Sequence, residues 1–306
     1  MNKKIIIAMM VAVVAVAAAF LSYKVITSFK TAEKDITANK AISIRKVETI
    51  FQQDAAIKKA ESVIAAGEDS PKAEEAYLTL ASIYSSRNDF LKAREFYRKA
   101  MEKFPASANI PKIQQAIENL NVKILFSPTM TDDSFLYQVK KGDNLVKIAN
   151  KFGTTVELIK KSNGLKGSDI RIGQKLKLTK LKFSIVIDRS QNILTLKADG
   201  NAFKTYRVAT GKEGSPTPVG TFKITNKIMN PPWYKLNGKM IPAGDPKNEL
   251  GSRWLGLSKP SYGIHGTIDP DSIGKFATEG CVRLKNEDIE EIFDIVPQGT
   301  EVVIIE

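Results

Sequence analysis

A single cysteine, Cys281, and a single histidine, His265, occur in 306 residues. One cysteine excludes an intrachain disulfide and a cysteine-based zinc site, and one histidine beside it leaves a structural metal without its usual ligands. Neither metal nor cofactor is expected. Acidic residues are in deficit, 33 against 46 Lys and Arg, for a net charge of +13. No recognition helix, zinc finger or RNA-binding signature accompanies that charge, so nucleic acid is not an expected partner. Hydrophobic content of 43% and charged content of 26% are ordinary for folded protein, and the length allows two or three domains.

The basic excess is local. Residues 31–134 carry as many acidic as basic residues and 181–306 nearly so, whereas 135–180 hold 11 basic against 3 acidic. Residues 1–30 carry four lysines and no acid. There Lys3-Lys4 precede an apolar run from Ile5 to Leu21, which reads as an export signal. The run sits at the lower bound for spanning a bilayer, reaching Ile26 if Ser22-Tyr23-Lys24 is bridged. An uncleaved membrane anchor with the N-terminus inside is favoured over a signal peptide cleaved near Ala17-Ala18-Ala19. Either way the rest of the chain is extracytoplasmic, and an unpaired thiol in that compartment calls for a functional explanation.

Residues 31–125 have helical periodicity. Tyr77, Leu80, Ala81, Tyr84, Ala93, Tyr97, Ala100 and Pro105 fall at the signature places of a tetratricopeptide repeat, which Glu74–Ser107 resembles. A degenerate earlier repeat is expected over about 40–73, and a capping helix from Pro111 to about Lys123. The segment is read equally as a spacer or as a groove for a protein partner. Being neutral and without His or Cys, it is expected to be separable from the chemistry. Residues 126–134 read as a linker.

Residues 135–180 read as strand, two helices and strand. Asp143 is expected to cap the first helix, Ser162-Asn163-Gly164 to stop the second, and Ile170 to Leu178 to alternate as a closing strand. The pattern resembles a lysin motif, a module that binds N-acetylglucosamine-containing glycan strands. The resemblance implies glycan contact from two loops, at Gly142, Asp143 and Asn144 and at Asn163, Gly164 and Leu165.

From Leu181 the pattern is β, with strands expected over 183–188, 193–196, 203–208, 221–224 and 302–305 and an amphipathic helix from Asn286, its cap, to Val296. Both singletons lie in the stretch Tyr262–Leu284, where a strand delivers His265 to a loop and Gly266 leaves room for close approach. Sixteen residues later, Gly280 can aim the N–H groups of Glu279, Gly280 and Cys281 at one point, as an oxyanion hole requires. A cysteine beside an imidazole is equipped for nucleophilic acyl transfer, the imidazole either taking the thiol's proton or pairing with a thiolate as imidazolium.

His265-Gly266-Thr267, Ile273-Gly274 and Thr278-x-Gly280-Cys281-x-Arg283 resemble the active-site signature of the L,D-transpeptidases of bacterial cell-wall synthesis. The likeness extends over about 181–306 and includes Pro216–Phe222 and Arg253–Leu257. Many members carry histidine where this chain has Glu279, so the base maps to His265. The resemblance implies a mainly antiparallel, β-sandwich-like domain acting on peptidoglycan stem peptides, with the Gly266 carbonyl orienting the imidazole. Arg283 is read equally as an anchor for substrate carboxylates or as a structural salt bridge. Tyr262 and Trp254 are candidates to wall the pocket, core packing being favoured for Trp254. Glu279 would raise the thiol pKa if its side chain lay close. Transfer giving 3–3 cross-links is the expected reaction; L,D-carboxypeptidase or wall-protein attachment activity, and an inactive glycan-binding scaffold, are the alternatives. The expectation is thus a multidomain chain of helical repeat-like segment, lysin motif (135–180) and catalytic domain (181–306).

Overall fold

A computed structural model describes residues 48–234 and 238–306. The expected anchor at 5–26 and the start of the earlier repeat lie outside the described residues, among which no helix is long and apolar enough to cross a membrane. Two compact units divide the chain, Met1–Ile83 and Tyr84–Glu306.

In the first, residues 48–66 form helix α1, and α2 begins at Pro71. The Ser70 hydroxyl accepts the Ala73 N–H at 3.2 Å and starts α2 (Pro71–Ser86). The second unit opens with the end of α2, then α3 (Phe90–Lys103), capped by Asp89, and α4 (Ile110–Leu125). Next come β1 (Ser134–Gln138), α5 (Leu145–Phe152), α6 (Val156–Ser162) and β2 (Lys175–Thr179), a two-stranded antiparallel sheet with two short helices. Tyr137, Val139, Leu145, Ile148, Ile159 and Leu176 make its core.

Two details of this module differ from expectation. Asn144, not Asp143, caps α5, its side chain accepting the Lys147 N–H at 2.8 Å. Asp143 instead accepts the Tyr137 hydroxyl at 2.7 Å and the Lys140 N–H at 2.8 Å, and these bonds hold its carboxyl below the usual range. The closing strand also starts late: Ile170 and Ile172 precede it, and Ile172 is exposed because no strand pairs with it.

The remaining strands are β3 (Phe183–Asp188), β4 (Ile193–Ala198), β5 (Asn201–Arg207), β6 (Thr210–Gly211), β7 (Gly220–Met229), β8 (Trp233–Tyr234), β9 (Met240–Ile241), β10 (Arg253–Leu257), β11 (Gly263–His265), β12 (Phe276–Thr278), β13 (Val282–Arg283) and β14 (Glu301–Ile305), with α7 (Asn286–Ile295) between the last two. Eight of them form one mostly antiparallel sheet in the order β13-β11-β10-β7-β14-β3-β4-β5. Its apolar face packs against Ile289, Ile292, Phe293 and Ile295 of α7. The side chain of Asn286 does not cap α7, which follows Lys285; it serves the site described below.

The expected linker and the separability of the helices are not what the structure shows. Val122 and Leu125 of α4 belong to the catalytic core, as does Leu158 of α6, and Phe126 packs against it. β5 is an edge strand, and α4 satisfies that edge: Glu118 accepts the Thr205 N–H at 3.2 Å and Asn121 donates to the Phe203 carbonyl at 3.0 Å. Lys177 of β2 is buried, its ammonium donating to the carbonyls of Ile124 (3.0 Å) and Ser127 (2.7 Å) at the α4 C-terminus. Burial pushes its pKa down to about 8. Lys161 of α6 pairs with Asp294 of α7 at 2.6 Å. Helix α4, the small module and the large sheet therefore pack as one body.

Candidate active site

Three neighbouring strands decide which side chains share a surface. Pairing of β10 with β11 sets Trp254 opposite His265, Leu255 opposite Ile264 and Gly256 opposite Gly263. The parallel pair β11–β13 sets Ile264 beside Val282 and His265 beside Arg283. Side chains alternate along a strand, so Leu255, Ile264 and Val282 fall on the core face, where all are buried. Trp254, His265 and Arg283 take the other face. Cys281 directly precedes β13 and, two residues from Arg283, falls on that face too.

His265 is almost wholly buried, and its Nδ1 lies 2.7 Å from the Gly266 carbonyl. A carbonyl only accepts, so the ring proton sits on Nδ1 and Nε2 keeps a free lone pair. Burial pushes the imidazole pKa down to about 4; the Gly266 bond opposes this and Arg283 adds to it. The Trp254 indole stacks on the imidazole, centroids 5.9 Å apart and planes 20° from parallel. Side chains on Gly256 or Gly263 would collide with the indole, so the two glycines make room for it. Trp254 thus lies on the site face and not in the core as favoured from sequence, and it holds the ring from above.

The Gly266 carbonyl is itself held. Asn286 Oδ1 accepts the N–H groups of Ser252 (3.0 Å) and Thr267 (3.1 Å), and its Nδ2 donates to the Thr267 carbonyl at 2.8 Å. A Cβ on Gly266 would strike Asn286 Oδ1, which is the close approach expected of that glycine. Sequence reasoning missed this use of Asn286, because an Asn at a helix start reads first as a cap.

The Cys281 thiol donates to the Ser261 carbonyl at 3.7 Å. Ser261 holds φ +69°, an unusual conformation for a non-glycine residue, beside the nucleophile. Burial pushes the thiol pKa up, with the Gly263 N–H and Arg283 pulling the other way. Thiol above 9 and imidazole near 4 place an ion pair on the order of 7 kcal/mol above the neutral pair. The neutral thiol–imidazole arrangement is therefore the resting one. Alkylation of Cys281 by iodoacetamide is expected to reach half its maximal rate only above pH 9, and the acid limb of kcat/KM to fall near pH 4, well below 6.5, because a base of lowered pKa stays deprotonated further into acid. Rapid alkylation at pH 5–6 would instead mean a thiolate–imidazolium pair.

The turn before Cys281 is built by Thr278, whose hydroxyl donates to the Cys281 carbonyl at 2.6 Å and accepts the Gly280 N–H at 3.2 Å. One of the three N–H groups expected to face an oxyanion, that of Gly280, is thus engaged inside the turn. Gly280 has φ +107°, and a Cβ there would meet the Tyr262 ring at 2.8 Å. Tyr262 therefore does line the site, against the glycine next to the thiol. Glu279 turns outward, 71% exposed, to Lys212. That bond, with a second from Ser215, lowers its own pKa, and it is not among the causes that raise the thiol's.

Arg283 is buried and engaged: Nη1 donates to Ser272 Oγ at 3.2 Å and Nη2 to Glu249 Oε2 at 3.1 Å, with Asp269 at 3.9 Å. Its Nε has no partner.

In the small module, Gly142 (φ +85°), Asp143 and Asn144 share one loop and Asn163, Gly164 (φ +63°) and Leu165 the other. The Asn163 side chain is spent internally, on the Ile159 and Lys177 carbonyls and the Lys177 N–H, and Leu165 packs toward the module's core. These two are structural. Among the described residues no group of His, Cys, Asp and Glu could hold a metal.

Residues 182–304 match the family model of the L,D-transpeptidase catalytic domain, and 137–179 that of the LysM domain. The Bacillus licheniformis protein YkuD, assigned as an L,D-transpeptidase, is 38% identical over 176 residues, 55% of this chain and 98% of that one. Bacillus subtilis YqjB, assigned likewise, is 38% identical over 125 residues, 39% of this chain and 69% of that one. A crystal structure of a Mycobacterium tuberculosis L,D-transpeptidase aligns with 44% of this chain and 63% of its own, at 18% identity and TM-score 0.36. With nearly the whole of one relative matched, a LysM module present and a cysteine and histidine on one face of the sheet, the chain belongs to the L,D-transpeptidase family of cell-wall enzymes.

Proposed function

We propose that Cys281 is the nucleophile and His265 the base of a transpeptidase that makes 3–3 cross-links between peptidoglycan stem peptides. The observation that carries this is the buried Nδ1–Gly266 bond, which leaves Nε2 free to accept a proton on the face that bears Cys281. Sγ attacks the carbonyl joining a diamino acid to a D-alanine, its proton passing to Nε2. The C–N bond breaks, the proton leaves on the D-alanine amine, and a thioester remains. The side-chain amine of a second stem then attacks, giving its proton to Nε2, and the returning thiol restores the enzyme. The N–H groups of Cys281 and Glu279 hold the oxyanion, each such donor being worth about 2.7–4 kcal/mol. Arg283 binds a substrate carboxylate, Tyr262 walls the pocket, and Trp254 and Asn286 position the base and its carbonyl. Incubation with disaccharide-tetrapeptide tests the reaction: cross-linked dimer supports transfer, whereas tripeptide alone means that water resolves the thioester and the enzyme is an L,D-carboxypeptidase.

Glycan strands are held by the LysM module at Gly142, Asp143, Asn144 and Gly164, aided by its 11 basic against 3 acidic residues. Full-length protein carrying Cys281→Ala is expected to sediment with purified peptidoglycan and to be released progressively as ionic strength rises. Salt-independent retention would assign binding to sugar contacts alone. Residues 5–26 anchor the chain in the membrane with the enzyme outside, and the tetratricopeptide-like helices take a protein partner.

A further inference from the structure

Arg283 is held by groups that a substrate can replace. Its guanidinium is more than nine-tenths buried, yet the carboxylates beside it are not: Glu249 is 49% and Asp269 58% exposed. Nε and Nη2 form the side-on edge with which arginine grips a carboxylate through two parallel bonds. Here Nη2 donates to Oε2 of Glu249 and Nε, although buried, has no partner. The edge is half used by a side chain on the loop entering β10, from a residue whose other side faces solvent. Leaving a buried donor unpaired costs about 1–3 kcal/mol. A carboxylate seated squarely on both nitrogens would recover that cost, and Glu249 would swing into water at the small cost of one exposed ion pair. Asp269 would stay as countercharge.

We infer that Glu249 is an internal stand-in for the substrate's carboxylate, displaced from the Nε–Nη2 edge of Arg283 when the donor peptide binds, so that it sets the donor's affinity by competition. The inference rests on the reading of Arg283 as the carboxylate anchor. Stem peptides offer two such carboxylates, at the terminal D-residue and on the diamino acid, and donors amidated at one or the other separate them.

The test is steady-state kinetics of Glu249→Gln and Arg283→Lys with three donors: unmodified, amidated at the terminus, and amidated at the diamino acid. Glu249→Gln is expected to lower KM for the unmodified donor about threefold, the worth of an exposed ion pair, without a matching change in kcat. The gain should vanish for whichever amidated donor lacks the recognised carboxylate. An unchanged or raised KM in Glu249→Gln overturns the inference, since a residue that merely orients Arg283 would weaken binding when neutralised. Arg283→Lys keeps the charge and loses the side-on edge. If it raises KM equally for all three donors, Arg283 anchors no carboxylate, and the underlying reading fails independently of Glu249.

Discussion

Cys281→Ser is expected to abolish acyl-enzyme formation and cross-linking, and His265→Asn to cut turnover about 10²–10⁴-fold, the usual worth of a positioned general base. The choice of replacements follows from the geometry. Serine keeps the size of the side chain that reaches the Ser261 carbonyl, so fold is preserved while the thiol is lost. Asparagine can still donate to the Gly266 carbonyl in place of Nδ1, and it fills part of the space under the Trp254 indole, but it offers no basic nitrogen. Circular dichroism with a thermal melt checks folding. Mass spectrometry after exposure to a disaccharide-tetrapeptide checks for the thioester. Normal turnover by folded His265→Asn protein would place the base elsewhere.

The two reactive residues were legible because each stands alone in composition and sits among glycines, and because the surrounding pattern resembles a known signature. What surrounds them was not. The stacking of Trp254 on His265 depends on cross-strand register, which fixes that Trp254 shares a face with His265 and not with Leu255. Sequence spacing along one strand cannot supply that. Glu249 reaches Arg283 across 34 residues and Asn286 reaches Ser252 across as many. Such contacts are made by loops whose course no periodicity encodes. Asn163 was drawn toward ligand binding because Asn-Gly reads as an exposed turn, whereas its amide is consumed by the β2 backbone. In α4 a signal was present. Val122, Ile124, Leu125 and Phe126 place apolar side chains around most of the last turn, as in a helix covered on more than one side. A partnerless capping helix would not need them.

That placement of α4 gives the second large expected effect. A chain beginning at residue 84, the start of the packed body, is expected to keep turnover on soluble disaccharide-tetrapeptide, whereas one beginning at residue 134 is expected to lose both turnover and its cooperative melt. Three losses add in the shorter chain. Val122 and Leu125 leave the core they share with the sheet, and emptying a leucine-sized site alone costs about 2–5 kcal/mol. The Lys177 ammonium loses the Ile124 and Ser127 carbonyls and is left as an uncompensated buried charge, a further ~3–5 kcal/mol unless it sheds its proton. Edge strand β5 loses Glu118 and Asn121 from its Thr205 N–H and Phe203 carbonyl, and an open edge invites pairing with other chains. Against a total stability of about 5–15 kcal/mol, the first two suffice to unfold a typical domain. Soluble turnover, melting temperature and light scattering of the two truncations make the comparison. If the chain starting at 134 melts and turns over like the longer one, α4 is a separable helix, and its contacts with β2 and β5 contribute nothing to the enzyme.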